Sequence, residues 1–208
     1  MNRESLKIAA ILLAAGPSSR LGQAKQLVRF NEECLVRRMS RLLLEQDAMT
    51  VSVVVGAEHE CVRKEIEDLP VTVVYNPEWE QGMGASISCG VRKIAGDVDG
   101  ILLMVCDQWR LQSEDIAALV DAWKSDVSGI LVASWHEGRA MVSGPPVIFP
   151  FKLRPELISV IRNRGARQVI DRHMDIVRFV ELENAAHDLD RPEDLDQLLK
   201  PGSQFPSN

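Results

Sequence analysis

At 208 residues the chain is long enough for one sizeable core, and with 46% hydrophobic and 26% charged residues it is not a mostly disordered polymer. A formal net charge of -6 opposes a phosphate backbone, so no nucleic-acid partner is expected and any bound phosphate must meet a local positive site. No segment approaches the ~18 apolar residues of a membrane span, so no membrane partner is expected either.

In chain order, the apolar run Lys7 to Leu13 predicts a strand. Its core, Ile8 to Ala15, could also pass for a short signal peptide behind Arg3 and Lys7, but it flows directly into a loop, Gly16 to Lys25. Further β-rich runs follow at Thr50 to Val55, Val71 to Tyr75, Gly100 to Val105 and Gly129 to Ala133. Between them lie apolar stripes at helical spacing: Leu35, Met39, Leu42 and Leu43, then Val62, Ile66 and Leu69, then Ile87, Val91 and Ile94, then Ile116, Leu119, Val120 and Trp123. After Trp135 the pattern changes to a strand at Pro146 to Phe149, helices over Pro155 to Arg162 and Ala166 to His173, a strand near Val177 to Leu182 and a closing helix from Pro192. Strands that are continuously apolar belong to a parallel sheet covered on both faces. The expectation is a three-layer α/β fold with a doubly wound, mostly parallel sheet, forming one domain over residues 1–200 with a disordered tail from Pro201 to Asn208. Such sheets bind ligands beyond the C-terminal ends of their strands, where the first loop lies. Cys34, Cys61, Cys89 and Cys106 form no CxxC pair, which speaks against zinc or a disulfide framework and for reduced thiols in the cytoplasm.

The loop reads LAAGPSSRLGQAK from Leu13 to Lys25. A GxGxxG dinucleotide fingerprint fails because Ser18 stands where the middle glycine is needed, and a Walker A loop fails because Gln23 follows the second glycine. An ordinary basic Gly-Ser turn would use the same residue types. The stretch nonetheless matches LAAGxSxRxGxxK at Leu13, Ala14, Ala15, Gly16, Ser18, Arg20, Gly22 and Lys25, and in this it resembles the molybdenum cofactor cytidylyltransferase family of nucleotidyltransferases. Small residues let the backbone approach a base and triphosphate, its N–H groups form an anion nest, and Arg20 and Lys25 add charge where pyrophosphate departs.

The resemblance extends over most of the chain and implies a Rossmann-like nucleotidyltransferase fold. NPEWEQGMGAS is similar to a family segment and implies that Gly82 and Ser86 lie near the nucleotide, although a turn, a core tryptophan and a helix start would read the same way. Asp107 ends an apolar run, and the family's Asp there binds magnesium; Trp109 replaces the family's proline and adds bulk toward the acceptor pocket. DLDRPEDL implies Asp190 as the second Mg²⁺ ligand, while Asp190 with Glu193 also fits a capping box. Pro145 stands where the family has His or Asn, and Asn163 where it has Asp, in RNRGARQVI, whose Arg162, Arg164 and Arg167 either form a solvated face or meet an acceptor phosphate. Together these imply Mg²⁺-dependent transfer of CMP from CTP to a phosphorylated small molecule, most simply molybdopterin, for a client molybdoenzyme. CTP follows from Ala-Ala-Gly, because related guanylyltransferases tend to carry Ala-Gly-Gly. The rivals are a nicotinamide dehydrogenase and a non-catalytic module that binds nucleotide or molybdopterin.

Replacing Arg20 by Ala is expected to lower turnover by about a hundredfold or more without loss of fold. Pyrophosphate release alongside circular dichroism checks this, and near-normal turnover would remove Arg20 from the mechanism.

Overall fold

The computed structural model describes residues 6–18, 21–47, 49–160 and 165–199. Its strands are β1 (Ile8–Ala14), a small hairpin of β2 (Arg29–Phe30) and β3 (Glu33–Cys34), then β4 (Met49–Val55), β5 (Thr72–Tyr75), β6 (Gly100–Val105), β7 (Ile130–Glu137), β8 (Ala140–Pro150) and β9 (Val177–Glu181). The helices are α1 (Leu35–Leu44), α2 (His59–Lys64), α3 (Met83–Arg92), α4 (Ser113–Lys124), α5 (Arg154–Ile158), α6 (Arg167–Arg172) and α7 (Pro192–Leu199). None of the described helices is long and apolar enough to cross a membrane. All four cysteines are free.

A seven-stranded sheet runs in the order β5-β4-β1-β6-β8-β7-β9, parallel throughout except for β8, which is antiparallel to both β6 and β7. This is the expected α/β architecture with a mixed, mostly parallel sheet. β1 lies between β4 and β6, so the chain winds outward to one side and then to the other, and the crevice at this reversal opens beyond the ends of β1 and β6. The central strands are apolar on both faces because both faces are covered. One core joins Leu12, Val53 and Met104 to Met39 and Leu43 of α1, Val62 of α2 and Leu119 and Trp123 of α4. The other joins Ile11, Val54 and Ile101 to Ile87 and Val91 of α3, Leu157 of α5 and Val169 of α6.

β8 departs most from the sequence expectation: it spans Ala140–Pro150 rather than Pro146 to Phe149. Gly144-Pro145-Pro146 argues locally against a strand. The hairpin from Glu137 to Ala140, turned through Gly138 at φ 63, carries β8 back along β7 regardless of that local preference.

A third cluster gathers Leu21, Val28, Phe30, Leu35, Trp109, Leu189 and Leu198. Trp109 is 1% exposed and meets the Phe30 ring edge-on at 5.3 Å. Its extra bulk therefore fills a core beneath the first loop and the closing segment, and it does not reshape the acceptor side as the sequence suggested. Trp109→Ala is expected to cost about 3–5 kcal/mol of stability, measured by urea unfolding; a loss below about 1 kcal/mol would mean the cluster tolerates its removal.

Candidate active site

The loop after β1 is held by its own side chains. Lys25 N–H donates to Ser18 Oγ at 2.9 Å, and Leu21 N–H to the Ser18 carbonyl at 3.1 Å. Ser18 (φ 51) and Gly22 (φ 74) both take the left-handed conformation that bends the loop. Gln26, 1% exposed, donates through Nε2 to the carbonyls of Ala14 at 3.0 Å and Gly16 at 2.6 Å and so pins the start of the loop. Gln26 escaped the sequence reading; a glutamine directly after the loop's lysine was the only signal. Gly56 escaped it too: a Cβ there would lie 2.6 Å from Trp79 Cβ and 2.8 Å from the Ala15 carbonyl oxygen.

Above the ends of β1 and β6 lies a cleft of about 220 Å³. Leu13, Ala14, Ala15 and Gly16 form one wall, Gly82, Met83 and Ser86 another, and Lys25 and Asp107 the end. A Cβ at Gly16 would meet nothing within 4 Å, so the backbone is open there to a ligand. Ser86 accepts from Asn76 Nδ2 at 3.1 Å, and Asn76 Oδ1 accepts from Glu78 N–H at 3.0 Å, which ties the start of α3 to the exit of β5. An adjoining cavity of about 210 Å³ is lined by Gly16, Ser18, Lys25 and Asp190 among others. Gly22 lines neither cavity and serves the turn. Cys106 faces the cleft, but burial pushes its thiol far up, so it stays protonated and is no nucleophile.

The acidic residues converge on Lys25. Its Nζ contacts Asp107 Oδ2 and reaches Asp190 Oδ1 at 3.1 Å. The two aspartates meet because the closing segment pairs with the exit of β6: Leu189 N–H donates to the Asp107 carbonyl at 3.0 Å, and Gln108 forms a β-bridge with Asp188. Burial works against the Lys25 charge, yet the Asp107 charge and the bonds to Asp107 and Asp190 outweigh it and hold the pKa raised. Although Asp188 is exposed, its carboxyl is pushed up to about 7, first by the protein atoms around it and then by the Asp107 and Asp190 charges. The site thus holds more negative charge than one lysine neutralises. Asp107 Oδ1 is buried with no hydrogen-bond partner among the described residues. Two carboxylates flanking one cation, with a buried oxygen to spare, fit a divalent metal that takes its remaining ligands from phosphate and water.

The expected capping box is displaced by one residue. Asp194, not Glu193, accepts the Asp190 and Arg191 N–H groups, at 3.0 and 2.8 Å, leaving the Asp190 carboxylate to Lys25. Arg20, Arg162, Asn163 and Arg164 lie outside the described residues. Arg167 opens α6, where its Nε donates to Asp171 Oδ1 at 2.9 Å. The described histidines do not join the cleft; His136 sits with Glu181 and Glu183 in an exposed cluster at the sheet's far edge.

Lys25→Met removes the cation held between Asp107 and Asp190 and is expected to cost about 3 kcal/mol at neutral pH in chemical denaturation. A cost below about 0.5 kcal/mol would show that the aspartates do not depend on the ammonium.

Comparison with known proteins identifies the family. A profile of the MobA-like NTP transferase domain matches residues 10–177. Nicotine blue oxidoreductase of Paenarthrobacter nicotinovorans is 28% identical over 199 residues, 92% of this chain and 96% of that protein. A protein of Synechococcus elongatus named "Probable molybdenum cofactor guanylyltransferase" is 32% identical over 124 residues, 59% of each chain. Among solved structures, Rv0371c of Mycobacterium tuberculosis H37Rv superposes with a TM-score of 0.81 at 22% identity, covering 94% of this chain and 98% of that one. A structure of that protein in complex with manganese superposes at 0.76. From the matched profile, the chain belongs to the MobA-like NTP transferase domain family and is a nucleotidyltransferase-family enzyme.

Proposed function

We propose that this protein transfers CMP from CTP to a phosphate monoester in a Mg²⁺-dependent reaction, releasing pyrophosphate. The observation that carries the reading is the Lys25 ammonium held between Asp107 and Asp190 at the mouth of a loop with open backbone. In this reading the base and sugar sit between Leu13–Gly16 and Gly82–Ser86, and the triphosphate runs over the loop toward Lys25 and Arg20. Asp107 and Asp190 would hold the magnesium, which when bound neutralises phosphate oxygens.

An oxygen of the acceptor phosphate attacks the α-phosphorus. The new P–O bond forms as the bond from that phosphorus to the α–β bridging oxygen breaks, and the electron pair leaves on pyrophosphate. The acceptor phosphate is already ionised at neutral pH, so no side chain has to remove a proton. What remains for the protein is positioning and charge: Lys25 and Arg20 stabilise the negative charge that grows on the leaving group. Ala14-Ala15-Gly16 favours CTP over GTP in this proposal. Molybdopterin, with a client molybdoenzyme downstream, is the acceptor that the sequence resemblance supports.

A second reading draws on the relative named as an oxidoreductase, which matches nearly the full chain. A redox cofactor would then occupy the same cleft. Ser18 in place of the middle glycine of GxGxxG speaks against a dinucleotide, and lack of NAD binding in a fluorescence titration would remove that reading.

The direct test screens the four nucleoside triphosphates with Mg²⁺ and a set of phosphate monoesters for pyrophosphate release. CTP is expected to lead, and Asp107→Asn to lower the rate at least about a hundredfold. Full activity of Asp107→Asn would move the metal elsewhere.

A further inference from the structure

Beside the nucleotide cleft lies a second cavity of about 210 Å³, which shares Leu13, Met83 and Val105 with it. It opens where β8 parts from its neighbours. The β6–β8 ladder stops at Leu103↔Val147, and the β7–β8 register jumps from Val132↔Val147 to Ala133↔Gly144. The residues left over are Pro145 and Pro146, which bring no N–H to either neighbouring strand. The prolines thus form a bulge beside the candidate site, a usual place for one.

The cavity walls are apolar: Met83, Ile87, Val132, Pro145, Val147 and Ile170. Gly165 lets the chain before α6 close over them, since a Cβ there would lie 3.2 Å from Met83 Sδ, and its φ of +52 suits glycine. Among the described residues, the polar side chains of the lining are Ser143 and Arg167. Arg167 stands at the rim, with its side chain 60% exposed and its Nε on Asp171. Pro145 has neither a polar side chain nor an N–H, and its carbonyl accepts from Gln108 Nε2 at 2.7 Å.

We propose that this cavity seats the body of the acceptor, and that the acceptor is a phosphate monoester of an apolar one- or two-ring group. The proposal rests on the nucleotidyl-transfer reading and narrows it. An apolar cavity of roughly 150 Å³ accepts benzene, so this one has room for a substituted or fused ring. A pterin body would bring ring nitrogens and amide groups to walls whose described side chains offer them few partners, at a cost of about tenfold in affinity for each unmet group. Because the two cavities meet at Leu13, Met83 and Val105, a ring seated here directs its phosphate toward the nucleotide cleft. The bonds made and broken are those given above, with no change of oxidation state.

Isothermal calorimetry with 1-naphthyl phosphate, ribose 5-phosphate and a pterin phosphate tests the cavity, and pyrophosphate release with CTP and Mg²⁺ tests the reaction on the same compounds. Naphthyl phosphate is expected to bind at least about tenfold more tightly than the other two and to be the best acceptor. Val132→Thr, nearly isosteric, and Pro145→Asn should each weaken its binding about tenfold relative to that of ribose 5-phosphate, with circular dichroism confirming the fold. Equal or tighter binding of ribose 5-phosphate or the pterin phosphate, or naphthyl phosphate binding that neither variant alters, would overturn the proposal. Pyrophosphate release with the polar acceptors alone would overturn it while leaving nucleotidyl transfer standing. Naphthyl phosphate bound in the cavity without pyrophosphate release from any triphosphate would instead overturn the transfer reading and keep the ligand class.

Discussion

A lysine ammonium shared by two carboxylates joins parts of the chain that are otherwise far apart: Lys25 leaves the first strand, Asp107 ends a central one, and Asp190 precedes the last helix. Removing charges from water is costly, and this site accepts the cost for the Lys25 ammonium and the Asp107 carboxylate, with Asp190 half-buried beside them. The balance is incomplete, as the upward shift of Asp188 and the unpartnered Oδ1 of Asp107 both record. A cavity that is short of positive charge and lies beside a loop whose backbone is open at Gly16 is suited to a metal–triphosphate complex, which brings cation and anion together.

The apolar packing under the site makes that convergence possible. Trp109 shares a buried cluster with Leu21 of the loop and Leu189 of the closing segment, so the segments that carry Lys25 and Asp190 pack into one core. The Leu189 N–H bond to the Asp107 carbonyl adds a backbone tie at the same place. Gln26 does similar work on the other side of the loop. The residues proposed to meet ligand are thus held by a buried tryptophan, a backbone tie and a buried glutamine.

Much of this was legible in the sequence, for physical reasons. β1 and β6 are continuous apolar runs because both faces are covered, and α1, α3 and α4 carry stripes at helical spacing, so their identity showed directly. The loop was legible as a tight turn after β1 because its glycines and serines lie within a few residues of one another. β8 was not, because its pairing is long-range and its prolines contradict it locally. The shift of the cap from Glu193 to Asp194 and the burial of Trp109 depend on how α7 and the β2–β3 hairpin pack, which no short window contains. Relatives of this fold bear the names of a transferase and of an oxidoreductase, so the architecture alone does not choose the chemistry. The choice lies in the side chains of the two cavities.

Titration of Mn²⁺ by electron paramagnetic resonance, with and without CTP, addresses the paired carboxylates most directly. The account predicts weak binding to the protein alone, because Lys25 already lies between Asp107 and Asp190, and binding strengthened at least about tenfold by CTP and lost in the Asp107→Asn, Asp190→Asn double variant. Unchanged CTP-dependent Mn²⁺ binding in that variant would contradict it.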